Sequence, residues 1–442
     1  MPSPARQAAF DILLRVEQRQ AYASELLHSD RLRDVSPQDR RLCTELVMGT
    51  LRWRSRLDLG IGAVSSQPLH KLDPEVLTAL RLGAYQIAFL RLPARAAVNE
   101  SVELVRRARR RYSAPFANAV LRSLAAKPEL IEPVLAPGIK TAPDLSRLYA
   151  HPLWLVERWA AAYGFATTEK ICAYSQQAPA TALRLADPNA EEELRRENIE
   201  LAPGALLRSA RRVLKGGVTH TRVFAERRVA VQDEASQLIA LLVGHGERLL
   251  DCCAAPGGKT AIMAEHNPQA TIVATDLHPR RAALLQRRLA AHPNVRVVVA
   301  DAASPALTAG FDRVLADVPC SGTGTLARHP EIKWRLRPED LPALHGKQVA
   351  ILTAALRCVR RGGRLLYSTC SLEREENVEV VNQVLQESEF RLVDCREELQ
   401  RLRGCAELVW SDLDSLLDGP FLRTIPGVQP CDGFFAAILE KA

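Results

Sequence analysis

The sequence predicts a mostly parallel, seven-stranded, Rossmann-like α/β domain, preceded by an all-helical domain and a small α+β connecting module. Three observations point there. After Gly246, apolar runs alternate with helical stretches, and the runs end on an acid or a cysteine. Before residue 133, apolar positions recur instead at three- and four-residue spacing. Between them lies a region of mixed pattern, opened by a proline-rich stretch from Pro133 to Pro143. At 442 residues the chain is too long for one typical core, and domains over 1–132, 133–235 and 236–442 are expected.

The helical part rests on five segments: 5–18, 38–64, 73–90, 96–112 and 114–127. Ser36 and Asp73 stand where helix caps are wanted. "RRARRRYS" (Arg106–Ser113) is the densest basic run. It reads either as a solvated helix end or as an RNA backbone contact. In the connecting module, "HPLWLVERWAAAYG" suggests a helix, while "ATALRLAD" and "VAVQDEASQ" open with strand-like runs.

In the last domain the apolar runs end at Asp251, Asp276, Asp301, Asp317 and Cys370. The stretches between them, such as "RRAALLQRRLAAH" and "LPALHGKQVAILTAALRCVR", are helical crossovers. "FRLVD" and "DGFFAAILEK" supply late strands at the sheet edge. Polar groups at the carboxyl ends of such strands converge on the crevice where open α/β sheets bind ligands. Cys320, in "ADVPCSGTG", and Cys370, in "RLLYSTC", would therefore face one pocket.

Composition narrows the class. Hydrophobic residues at 47% and charged residues at 25% describe an ordinary globular chain and argue against disorder. The net charge of +8, carried by arginine, favours a polyanionic partner; arginine-rich codon usage is the alternative. The first residues contain no apolar segment long enough for a signal peptide or a membrane span, so a cytoplasmic protein without membrane contact is expected. There ten cysteines are not expected to form disulfides. With no CxxC pair and no histidine cluster, no metal is expected either. Cys43, Cys172, Cys358, Cys395, Cys405 and Cys431 read as core or neutral positions.

"DCCAAPGGKT" (Asp251–Thr260) is the candidate cofactor loop. It is not a phosphate-binding P-loop, because Cys253 stands where the first glycine is required, and G-x-G-x-x-G is absent. Asp276 and Asp301 follow at successive intervals of 25 residues. The first suits ribose hydroxyls and the second an adenine amine. A lone strand-end acid reads as a cap or turn former; this series with this loop suits S-adenosylmethionine. On spacing alone a nicotinamide cofactor stays the alternative. Cysteine chemistry adds a constraint. Carbon 5 of cytosine attacks a methyl donor only after a thiolate has added to carbon 6, and a cysteine supplies such a nucleophile and leaving group.

"DCCAAPGGKT", "ADVPCSGTGTLARHPEIKW" and "LLYSTCSLEREENVEVV" resemble the motifs of the RNA 5-methylcytosine methyltransferases of the Sun family. The resemblance implies a class I methyltransferase fold, S-adenosylmethionine and a covalent cysteine–cytosine intermediate. By it, Cys370 matches the nucleophile, and Cys320 the cysteine that releases methylated RNA. Asp317 matches the acid that steadies the base beside the cofactor. Cys253, Ala254, Ala255, Pro256, Gly257, Gly258, Lys259, Asp276, Asp301 and Asp317 match cofactor-binding positions. DNA cytosine methyltransferases attack from a Pro-Cys motif, at the place of Cys320, but that assignment leaves Cys370 without a role.

"AVNESVELVRR" and "FANAVLR" resemble the NusB-like RNA-binding domain of the family's bacterial ribosomal members. This implies action on a cytosine of small-subunit (16S) ribosomal RNA; a monomer is expected. A transfer RNA substrate, or an antitermination-like RNA-binding factor with a vestigial catalytic domain, are the rivals. The target base must be unstacked for attack on carbon 6. "HPEIKWR" (His329–Arg335) offers Lys333 and Arg335 to phosphate and Trp334 to stacking or to packing. Residues 186–222 and 396–424 carry no matching motif.

Overall fold

Two units make up the computed structural model: Met1–Ala178 with Leu326–Leu336, and Pro179–Thr325 with Arg337–Ala442. The structure describes residues 2–19, 21–29, 32, 35–90, 92–132, 140–187, 189–304 and 310–442. Of the expected proline-rich linker, residues 133–139 lie outside the described residues; Thr141 beyond it caps the helix Ala142–Leu148 in a reciprocal pair with Asp144.

The first unit is helical. Its central helix, Pro74–Phe89, is buried nearly all round, which matches its apolar composition on every face. The polar groups it takes inside are paired: Arg81 binds Asp58 through two bonds of 2.7 and 2.8 Å, and Gln86 accepts from Arg6. Pro37–Arg52 packs against it so closely that a Cβ on Gly49 would stand 1.9 Å from the Tyr85 ring. The single helix expected over 38–64 breaks at Trp53, whose ring stacks on Phe89 at 4.8 Å, and resumes as Arg54–Val64. Ser36 caps as expected, accepting from Asp39 N at 3.1 Å. Asp73 holds the N-cap position, but its carboxylate accepts from the Tyr112 hydroxyl at 2.6 Å. In the basic run, Arg110 pairs with Asp73 and Glu75, while Arg107, Arg109 and Arg111 are exposed.

Leu326–Leu336 belongs to this unit's interior, which corrects one expectation. Lys333 is buried, and its ammonium donates to the carbonyls of Arg52 and Ala150, both at 3.0 Å. Trp334 donates to Leu51 O at 2.6 Å, and Arg335 donates to Val16 O at 3.1 Å and to Ala21 O. These side chains answer helix-end carbonyls, so Lys333 is not presented to phosphate.

The second unit holds two sheets. The smaller is antiparallel, in the order β2-β3-β1-β4 (β1 Thr181–Leu185, β2 Glu200–Pro203, β3 Ala210–Lys215, β4 Val229–Val231). Leu183, Leu194, Val223 and Val229 fill its core with the helix Ala190–Arg196.

The larger sheet begins with β5 (Arg248–Asp251), β6 (Thr271–Asp276), β7 (Val295–Val299), β8 (Phe311–Asp317) and β9 (Val359–Thr369). These are parallel, in the order β7-β6-β5-β8-β9. Leu249, Leu315 and Leu366 face one core, and Leu250, Val314 and Tyr367 face the other. Burial on both faces explains why β5, β6, β8 and β9 read as apolar runs, whereas β7, at the sheet edge, is largely exposed. β10 (Phe390–Val393), β11 (Leu417–Asp418), β12 (Phe421–Thr424) and β13 (Phe434–Lys441) follow. β13 runs antiparallel beside β9, and its other edge is shared end to end by β12 and β10. Among the described residues the sheet thus has nine strands where seven were expected, because β11 and β12 come from the stretch without a motif.

Candidate active site

The strand order turns at β5, whose neighbours β6 and β8 continue in opposite directions. Such a switch point opens a crevice at the strands' carboxyl ends. Asp251 ends β5 and Asp317 ends β8; Cys320 lies in the turn after β8, and Cys370 directly follows β9.

The two sulfurs meet there, with Cys320 Sγ 3.3 Å from Cys370 Sγ. Hydrogen bonding with Cys370, together with burial, pushes the Cys320 thiol well above its usual range. Asp317 is held from both sides: Lys259 Nζ donates to Oδ2 at 2.7 Å, and Ser368 Oγ donates to Oδ1 at 2.8 Å. Burial works against the Lys259 charge, but Asp317 outweighs it and holds the ammonium above its usual range. The same ammonium stands 5.0 Å over the Phe434 ring.

The loop Cys253–Gly258 turns tightly from β5 into the helix Gly258–His266. Gly257 takes φ 106°, a left-handed conformation, and a Cβ there would stand 2.9 Å from Leu285. Ala254 N donates to Thr275 O at 2.8 Å, and Arg281 and Arg288 donate to Ala255 O and Pro256 O. Burial pushes the Cys253 thiol up. Asp251, beneath the loop, accepts from Thr260 Oγ1 at 2.7 Å; its Oδ1 is buried without a hydrogen-bond partner. Burial lifts its pKa to about 7. Asp276 is buried at the end of β6, with His278 N on Oδ1 at 2.9 Å and Arg281 3.5 Å from Oδ2. Asp301 is exposed and accepts from Ala303 N within its own turn; no hydrogen bond ties it to the loop among the described residues. Hydrogen bonds join Cys320 to Cys370 and Lys259 to Asp317, and none among the described residues ties Asp301 to either pair.

Sequence reasoning passed over a buried carboxylate behind the cysteines. Glu376 accepts from Ser321 N at 2.8 Å, Gln348 Nε2 at 2.9 Å, Ser371 Oγ at 2.5 Å and Ser321 Oγ. It stands inside the "LLYSTCSLEREENVEVV" motif, ahead of the apolar helix Val378–Leu385, where a helix-start charge is the ordinary reading. Gly324 is the other omission. It donates to Cys370 O at 2.9 Å, and its carbonyl accepts from Gly433 N at 2.8 Å. Among the described residues, no group of three or more His, Cys, Asp or Glu side chains is placed to hold a metal ion.

Comparison with known proteins places the chain in a family. The family described as "16S rRNA methyltransferase RsmB/F" matches residues 238–440, the NusB family matches 3–126, and the RsmF/B-like ferredoxin-like domain matches 151–213. The probable ribosomal RNA small subunit methyltransferase B of Bacillus subtilis (strain 168) is 35% identical, over 99% of this chain and 98% of its own length. The chain belongs to the RsmB/F methyltransferase family. Ribosomal RNA small subunit methyltransferase B of Serratia proteamaculans is 32% identical to this RsmB/F member over 92% of each chain. The crystal structure of PH0851 covers the whole of both chains, with a TM-score of 0.81 and 24% identity. NSun6 from Pyrococcus horikoshii, in a structure with SFG, covers 66% of this chain and 99% of its own, with a TM-score of 0.57 and 20% identity. Both share the RsmB/F fold.

Proposed function

We propose that this chain methylates carbon 5 of a cytosine in 16S ribosomal RNA with S-adenosylmethionine, through a covalent Cys370–cytosine adduct. The observation that carries the reading is the pair of sulfurs 3.3 Å apart at the switch-point crevice. One cysteine suffices to attack; a second, in contact with the first, suits a reaction that must also be undone. The loop residues fit the cofactor. The unpartnered Oδ1 of Asp251 suits an ammonium group, the Gly257 turn lets a ligand approach backbone, and Asp276 ends its strand where ribose hydroxyls would bind. Asp301 completes the adenine side in this reading. When bound, S-adenosylmethionine supplies an electrophilic methyl group to carbon 5.

Cys370, as thiolate, adds to carbon 6 and makes carbon 5 nucleophilic. Asp317, fixed by Lys259 and Ser368, is an acceptor for the exocyclic amine and steadies the ring. Cys320 is held protonated first of all by its hydrogen bond with Cys370. Once the Cys370 sulfur is bonded to carbon 6 it carries no charge, so its share of that restraint lapses, and burial and the Glu376 charge are left to oppose the Cys320 thiolate. Cys320 can then give its proton to water and, as thiolate, take the proton from carbon 5. Those C–H electrons restore the ring double bond, the carbon–sulfur bond breaks, and Cys370 leaves as thiolate.

The NusB-like residues 1–132 would contact RNA, and the net charge of +8 supports a polyanionic partner. The reading takes the protein to act as a monomer in the cytoplasm, where ten free cysteines are at home. Incubating the protein with methyl-labelled cofactor and either 16S ribosomal RNA or transfer RNA tests it. Label at carbon 5 of a ribosomal cytosine, lost in Cys370→Ala, is expected. Label in transfer RNA alone would overturn the substrate, and no label in either would overturn the enzyme.

A further inference from the structure

We propose that Glu376 is a positioning residue that fixes the separation of Cys320 and Cys370 and so governs release of the methylated product. The proposal deepens the function above and rests on it for the release step, though not for the positioning. Glu376 is fully buried. Its four donors come from three elements: Ser321 in the turn after β8, Ser371 in the turn after β9, and Gln348 on the helix Asp340–Cys358. Ser321 is the residue after Cys320, and Ser371 the residue after Cys370. One carboxylate thus holds the neighbour of each sulfur. Gln348 tightens the arrangement by donating also to Pro319 O at 3.0 Å, on the other side of Cys320. The Glu376 backbone is fixed in turn, because the buried Tyr367 hydroxyl donates to its carbonyl at 2.6 Å.

A carboxylate is an expensive group to bury, and apolar replacements of buried charges are often neutral for stability. Geometry is the better explanation. Each carboxylate oxygen accepts two donors, one set of which comes from hydroxyls on the two cysteine turns. The two flanking serines also meet each other, Oγ to Oγ at 3.0 Å, and Glu376 accepts from both hydroxyls of that pair while tying it to Gln348. Attack needs only Cys370, whereas release needs both sulfurs in register. Loosening the clamp should therefore slow release more than attack.

Glu376→Ala, which keeps both cysteines, should accumulate a covalent protein–RNA adduct resistant to denaturant. Its turnover should fall by at least about tenfold, as a misplacement approaching an ångström can cost. S-adenosylhomocysteine affinity should stay within about twofold, since the loop after β5 is untouched. Glu376→Gln should restore part of the turnover. Its amide oxygen still accepts from Ser321 N and Gln348, and its nitrogen can donate to the two hydroxyls.

A second readout needs no RNA. Diamide removes two hydrogens from a thiol pair and is itself reduced to the hydrazine, so the rate of Cys320–Cys370 disulfide formation, followed by peptide mapping, reports the sulfur separation. That rate should fall in Glu376→Ala and recover in Glu376→Gln. If the alanine variant does not fold, Glu376→Gln and Gln348→Ala are compared with wild type in the same assay. An unchanged disulfide rate overturns the positioning role, even where Cys320→Ala traps an adduct. Loss of cofactor affinity in step with turnover also overturns it, as a general folding role. A slowed disulfide rate in a protein that never forms an adduct keeps the positioning role and overturns the covalent chemistry.

Discussion

Replacing Asp251 with asparagine should change how the ligand-free protein responds to pH. Asp251 is buried, one carboxylate oxygen has no partner, and burial lifts its pKa to about 7. An unfolded aspartate titrates near 3.9, so the folded value is raised by about three units, equivalent to roughly 4 kcal/mol in all. Because the folded pKa is the higher one, the stabilising contribution is complete below about pH 4 and is lost as pH rises to about 7. Between pH 5 and pH 8 the wild type should lose roughly 2 to 3 kcal/mol that the asparagine variant does not. In a unit of this size that is roughly 5 to 10 °C of melting temperature. Thermal unfolding of both proteins at the two pH values measures it, and taking the difference removes other titrating groups common to both. A gap between variant and wild type that does not move with pH would refute the reasoning. Adding S-adenosylhomocysteine extends the test: an ammonium at Oδ1 favours the ionised carboxylate, so wild-type affinity should rise toward pH 7 and the variant's should not.

Cys320→Ala should trap an RNA adduct visible on a denaturing gel, whereas the Cys320→Ala/Cys370→Ala double variant should trap none. Gly324→Ala would place a Cβ 2.2 Å from Gly433 O and 2.8 Å from Cys370 O, both backbone atoms. A loss of about 2 kcal/mol or more in denaturant unfolding is expected. Replacing Arg107, Arg109 and Arg111 with alanine should lower the salt dependence of RNA binding by roughly 0.7 for each phosphate that is no longer neutralised. An unchanged slope would remove that run from the interface.

The parallel strands were legible because β5, β6, β8 and β9 carry apolar side chains on both faces and stop at a polar residue. β11 and β12, two and four residues long, leave no such trace: β12 forms on the edge that β13 offers, and β11 on the edge of β12. The cysteine pair could be read from chemistry, since two thiols at the ends of neighbouring strands need a reason. Glu376 could not, because its partners Ser321 and Gln348 lie far off in sequence and only the fold brings them together. Lys333 misled for the same cause. Beside Trp334 and Arg335 it looks solvent-facing, yet the carbonyls of Arg52 and Ala150 claim it.

That lysine has a consequence for how the protein is made. Synthesis runs from the amino terminus, and domains generally fold as they emerge. The helical unit cannot follow that schedule to the end, since the segment carrying its ammonium strut, Leu326–Leu336, is translated only after both sheets have begun. Its last carbonyls wait, uncapped, while the ribosome works through the strands between. The part of the chain that is born first is not the part that is finished first.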